Sequence, residues 1–189
     1  MKDYVEHTTE SVRTIDAHTY GANYRDIRRF EALCAECPNY GCRWGCPPFT
    51  DEEYAVPDSY DSVDITLIKI ELATHTPGDA ATLRAIIDPI RAAGERRLLA
   101  EESRRAGHAA LFTGQCPHCP GETCARTTGA PCRHPELVRP SLEALGFDLT
   151  RTASEIFGID MLWCKDGYAP PYLTLIGALF YNSTPNDNI

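Results

Sequence analysis

Nine cysteines stand in a chain of 189 residues, and eight of them fall into two runs. Cys34, Cys37, Cys42 and Cys46 are spaced Cys-x2-Cys-x4-Cys-x3-Cys, and Cys116, Cys119, Cys124 and Cys132 are spaced Cys-x2-Cys-x4-Cys-x7-Cys. The shared opening is the strongest internal repeat in the sequence. A Cys-x2-Cys turn lets two thiolates converge on one centre, and the remaining ligands loop back to close it. The pattern predicts two metal sites. A disulfide framework is disfavoured, because such frameworks carry an even number of cysteines and follow a secretory leader. The opening "MKDYVEHTTESVRTID" shows neither an apolar core nor a small-residue cleavage pattern.

Metal identity is argued from the residues between the cysteines. Ferredoxin-type iron–sulfur sites use compact cysteine runs ending in Cys-Pro, with backbone N–H groups turned toward the cluster sulfides. Here proline follows Cys37, Cys46, Cys116 and Cys119. Zinc is the rival. A zinc ribbon pairs two Cys-x2-Cys knuckles about 15–20 residues apart, and neither run contains a second knuckle. Zinc also accepts imidazole, and His118 and His134 lie in the second run. The spacing favours iron–sulfur clusters, two of [4Fe–4S] type, with zinc as the alternative and free thiols behind both. Cys164 belongs to neither run and is expected to be a buried free thiol. His7, His18, His75 and His108 have no ligand-like spacing.

The stretch "CPNYGCRWGCPP" resembles the Cys-x2-Cys-x2-Tyr-Gly-x2-Trp-x-Cys-Pro-Pro signature of an uncharacterised prokaryotic family, domain of unknown function 2284, described as predicted metal-binding proteins. "CRHPELVRPSLEALGFD" is similar to that family's Cys-Arg-x-Pro…Pro-Ser-Met-Glu-Ala-x-Gly-Ile-Asp stretch, with Leu142 in place of the usual Met. The resemblance implies metal binding and names no reaction. The family signature has no cysteine at the position of Cys42, which implies a first triad of Cys34, Cys37 and Cys46 and a second set of four. Cys42 is then a fourth ligand, a spare thiol or a ligand that comes and goes. If it ligates, both clusters are closed and electron transfer is favoured. If it does not, one metal has an open position and can act as a Lewis acid toward a substrate oxygen or sulfur. Arg43, Arg28 and Arg29 can neutralise an anionic substrate or the cluster, although solvated helix faces are the plainer account of them. Tyr40 and Trp44 are read as a shield against water.

These residues must be positioned by a small fold. "NYRDIRRFEALC" has helical periodicity and delivers Cys34 to a loop over 34–50 that Pro and Gly keep irregular. "SVDITLIKIEL" (62–72) is the clearest strand, with Val63, Ile65 and Leu67 alternating and then Ile68, Ile70 and Leu72. A long helix follows to Gly107, which should end it, and Pro89 should kink it or split it. "HAALFTG" (108–114) reads as the next strand, which suggests a right-handed parallel βαβ crossover. The second cysteine loop, 116–132, precedes two short helices, "RPSLEALG" and "TRTASEIFGI", and a last strand over 171–182. Residues 1–20 read as a short strand with a mobile end, and "STPNDNI" as a frayed tail. The expected class is α/β or α+β, with a small mixed or parallel sheet, in a single metal-binding domain over 1–189.

A net charge of −9 argues against nucleic acid, which needs Lys and Arg to displace counterions. The local basic spots "RDIRRF" and "RAAGERRLL" read as solvated helix faces. No apolar run reaches the ~18 residues that span a bilayer, so a cytoplasmic protein with no membrane partner is expected. No Gly-rich phosphate loop, Ser–His–Asp arrangement or dinucleotide fingerprint appears, and no catalytic residue is assigned. The expected partner is a redox protein or a small-molecule substrate, and an apolar last strand at a sheet edge would invite a homodimer. The alternative function is a structural zinc protein acting as a protein-interaction module. A redox or metal sensor with labile cysteines is the third reading.

Overall fold

The computed structural model describes residues 4–114, 116–119 and 121–183. The expected frayed tail from 184 onward and the first three residues lie outside them. The central strand is β2, Ser62–Leu72, and its two alternating triplets explain the fold. Val63, Ile65 and Leu67 enter one apolar core with Tyr20, Leu142, Leu145, Phe147 and Phe180. Ile68, Ile70 and Leu72 enter a second core on the opposite face with Ile86, Leu98, Phe112 and Leu179. Successive strand residues point to opposite faces, so a strand covered on both sides is apolar in both phases.

The sheet has four strands in the order β1-β2-β4-β3, with β1 at Val5–Asp16, β3 at His108–Ala110 and β4 at Tyr172–Tyr181. Every pairing within it is antiparallel. The expected parallel sheet and its βαβ crossover are therefore corrected. β2 and β3 are not neighbours, because β4 comes back from the end of the chain and inserts between them. The last strand is also no edge. Val63 pairs with Phe180 on one side of it, and His108 with Phe180 on the other.

β1 is longer than the short strand expected. Its burial is slight along almost its whole length, so an edge strand wet on both faces shows no alternation in its sequence. Helix α1, Ala17–Tyr24, is capped by Asp16, which accepts from the Thr19 N–H at 2.7 Å. Helix α2, Ile27–Ala35, is capped by Asp26 and carries Cys34 in its last turn. The short α3, Asp51–Ala55, follows the first cysteine loop and opens with a reciprocal Thr50–Glu53 capping box.

Helix α4 runs over Ala80–Arg105 with Pro89 inside it, so of the two expected effects of Pro89, a kink or a split, the split does not occur. Ala106, not Gly107, takes the left-handed cap. The stretch "RPSLEALG" forms a run of turns rather than a helix, with the Leu145 N–H donating to the Ser141 carbonyl at 3.1 Å. Helix α5, Leu149–Arg151, continues as a wider turn over Thr152–Ile156. α4 covers the β2 face that carries Ile68, and α1, α5 and the 142–147 turns cover the face that carries Ile65.

Candidate metal centre

Four segments meet around the first cysteine run. α2 supplies Cys34, and the turns after it are closed by backbone bonds at the cysteines: the Cys37 N–H donates to the Cys34 carbonyl at 2.9 Å, and the Tyr40 N–H to the Cys37 carbonyl at 3.0 Å. Two glycines let other segments pack against this frame. A Cβ on Gly45 would stand 3.2 Å from the Arg139 carbonyl, and one on Gly146, at a φ of +94°, would stand 2.8 Å from the Ile27 Cα. The 139–146 segment is thus wedged between the loop that ends in Cys46 and the helix that ends in Cys34.

Arg25 locks this arrangement. Its side chain is almost buried, donates through Nε to the Leu145 carbonyl at 2.8 Å and through Nη2 to the Tyr54 carbonyl, and pairs with Asp58 at 3.1 Å. Burial raises the Cys34 thiol, and the charges of Glu143 and Cys37 add to that. Burial first, and then the charges of Cys37 and Cys34, push the Cys46 thiol up to about 11. Cys37 thus acts on both Cys34 and Cys46. Cys42 is exposed and lines a different cavity, an open cleft of about 1030 Å³ shared with Cys116, Cys119 and Cys124.

The second run forms its own group. Burial raises the Cys116 thiol, and the charges of Cys132, Cys119 and Cys124 add to that. Sulfur atoms here already accept hydrogen bonds: the His134 N–H reaches Cys132 Sγ at 3.4 Å, and Arg133 Nη1 reaches Cys119 Sγ at 3.8 Å. His118 and His134 stand beside the group with ring centres 6.2 Å apart.

The two loops are fastened to each other. Arg126, from the second, donates to the carbonyls of Arg43, at 2.7 Å, of Cys46, and of Pro48, at 2.5 Å. Its guanidinium lies 5.3 Å from the centre of the Trp44 ring, and the Trp44 Nε1–H donates to the Ala130 carbonyl at 3.2 Å. Trp44 is therefore a strut between loops as well as a cover. Cys46 and Cys116 line one small cavity of about 50 Å³. Of the expected anion-binding arginines, Arg29 pairs with Asp148 at 3.1 Å and Arg43 donates to Asn39 at 2.9 Å.

The donor chemistry fits a soft or borderline metal: thiolates in two groups, in loops rich in N–H donors. Among the described residues no three His, Cys, Asp or Glu side chains stand in a closed ligand arrangement. The thiols lie within reach of one another's charge, and ligation must draw them together. Cys164 departs from its expected burial. It is exposed, beside the exposed Trp163. The residue that sequence reasoning missed is Glu143, whose Oε2 is buried without a hydrogen-bond partner. An acid in "SLEALG" reads as a solvated helix position; the signals that mark it out are its place in the stretch similar to the family's Pro-Ser-Met-Glu-Ala run and the burial of Leu142, Ala144 and Leu145 around it.

Among the described residues no helix is long and apolar enough to cross a membrane. No curated protein and no solved structure matches the chain. The predicted metal-binding proteins of domain of unknown function 2284 match it over residues 23–180, which takes in both cysteine loops, strands β2 and β3 and nearly all of β4, and the chain belongs to that family.

Proposed function

We propose that this metal-binding protein carries two iron–sulfur clusters of [4Fe–4S] type and works in electron transfer or in chemistry at an incompletely thiolate-bound centre. Cys116, Cys119, Cys124 and Cys132 make the closed site. Cys34, Cys37 and Cys46 make a site whose fourth position is not filled by a cysteine. The observation that carries this reading is the division of the thiols into a group of three and a group of four that meet across one small cavity, at Cys46 and Cys116. A closed cluster beside an incomplete one is an electron relay next to a place where a ligand can bind.

When bound, such clusters supply one-electron transfer and Lewis acidity. The chain's own residues do the rest. Arg126 and Trp44 hold the two loops at a fixed distance, and Tyr40, Trp44 and the prolines limit the approach of water. Arg133 places positive charge next to Cys119. The partner is a redox protein or a small-molecule substrate, and the open cleft shared by Cys42, Cys116, Cys119 and Cys124 gives the latter a place to enter.

The second reading, structural zinc in a protein-interaction module, is favoured by one observation, the His118–His134 pair beside the second group. Anaerobic purification separates the two. Brown protein with about eight irons per chain and matching acid-labile sulfide is the expected result, as two [4Fe–4S] clusters require. Colourless protein with bound zinc and no sulfide sinks the cluster reading.

A further inference from the structure

The two edges of the sheet are finished differently. β3 has three residues, and its continuation at Leu111 is bridged by Ser141. β1 has 12 residues, and among the described residues no other strand pairs with its outer side. An open edge presents a row of unpaired N–H and C=O groups, and folded proteins usually blunt it with proline, lysine, a bulge or a covering segment. β1 has no proline, lysine or glycine, and its register shift lies at the far end, between Val5 and His7.

The central charges of β1 are drawn away from its edge. Glu10 is ion-paired with Arg97 of α4 on one face of the sheet. On the other face the Arg13 guanidinium lies 5.6 Å from the centre of the Phe157 ring. Between them stands Val12, 46 % exposed. Val12 and Glu10 border a groove of about 290 Å³ against α4, with Leu98 and Phe112 on its apolar wall.

We infer that β1 is a homodimerisation strand: two copies pair antiparallel over residues 8–16 about a two-fold axis at Val12, which joins two four-stranded sheets into one. The occupant follows from charge and register. Outward-facing backbone groups come from alternate residues, so a symmetric antiparallel pair is centred on a residue and not between two. Like charges directly opposite one another are destabilising. An axis at Glu10 or Arg13 sets each against its own copy, and an axis at Ser11 sets Glu6 toward Asp16. An axis at Thr9 carries the pairing through the register shift. The axis at Val12 avoids all of these: Glu10 faces Thr14, Arg13 faces Ser11, and the two exposed valines cover each other. Opposed residues share a face, so the α4 sides of both copies align and the second Val12 stands beside the groove. The inference does not depend on which metal the loops hold.

Sedimentation equilibrium of the full-length protein, purified without oxygen, tests this over about a 100-fold range of concentration. A dimer that dissociates on dilution is the expected result. Val12→Lys sets two ammonium groups at the axis and should weaken self-association by on the order of 100-fold, with metal content and circular dichroism unchanged. Mixing Val12→Lys with Val12→Asp should restore a dimer of one copy of each. Unmutated protein that stays monomeric overturns the inference, and so does a dimer that Val12→Lys leaves intact. A mixture that stays monomeric overturns the axis at Val12. If Val12→Lys loses its circular dichroism, amide hydrogen exchange of the unmutated protein decides instead. Exchange over residues 8–16 should slow as concentration rises, and exchange there that ignores concentration overturns the pairing.

Discussion

Cys42 lines the cleft shared with Cys116, Cys119 and Cys124, while the charge of Cys37 acts on Cys34 and the charges of Cys37 and Cys34 act on Cys46. Sequence spacing could not separate these roles, because every residue of "CPNYGCRWGC" is near every other along the chain. The turn geometry separates them. The Cys42 N–H donates to the Asn39 carbonyl at 3.0 Å and the Gly41 N–H to the Pro47 carbonyl at 2.8 Å, which folds the loop over on itself. Cys42→Ser should therefore leave the metal content and the electron-spin resonance of the first centre unchanged, whereas Cys37→Ser should remove that signal. Metal analysis of the two variants side by side checks this, and an equal loss in both returns Cys42 to the ligand set.

The elements around the first centre are held by close backbone approaches rather than by large apolar faces. α2 has no fully buried residue, so its position depends on its N-terminal contact with Gly146. An alanine there meets the Ile27 Cα and N at 2.8 and 3.1 Å and takes on a φ of +94°. Neither contact can relax by rotating a side chain. Gly146→Ala should destabilise the fold by about 1–3 kcal/mol, the usual range for overpacking, and should displace Cys34 from Cys37 and Cys46. The expected pattern is a lower melting temperature with metal lost first from the first loop, read by thermal unfolding and by metal content per chain. An unchanged melting curve would show that α2 has slack at this point. Legibility follows the same physics. β2 was readable because two buried faces write two phases into one strand. β1 was not, because solvent on both faces leaves no period. Gly146 and Gly45 matter through partners far away in sequence, which no local pattern records.

Taken whole, the molecule is a four-stranded antiparallel sheet with both cysteine loops tied to the end of α4 that leads into β3. The expected crossover failed for a reason of topology. Residues 62–110 do run strand, helix, strand, but their order along the chain does not reveal that β4 will occupy the place between the two strands. The tie itself is ionic. Glu102, near the end of α4, accepts from Arg139 Nε and Nη2 at 2.8 Å each and from the Ala109 N–H at 2.9 Å, with the His108 ring 3.9 Å away. It therefore joins helix, strand β3 and the segment that leads to Glu143. Burial works to raise the Glu102 pKa, but Arg139, the Ala109 N–H and His108 outweigh it and hold the carboxyl below its ordinary 4.5. An acid with a depressed folded pKa binds protons more weakly when folded than when unfolded. Its contribution is present in full above 4.5 and is lost as pH falls through the folded value. His108, held below 6.5 mainly by burial, loses stability in the same direction as it gains its proton. Glu102→Gln should cost about 1.5–3 kcal/mol near neutral pH, the range for hydrogen bonds to charged groups. It should also flatten the decline in stability below about pH 4.5, leaving the shallower slope of His108 and the surface carboxylates. Denaturant unfolding of both proteins between pH 7 and pH 3 measures this. Parallel curves over that interval would mean that Glu102 carries no part of the acid sensitivity and that the tie between the loops and the sheet is not ionic.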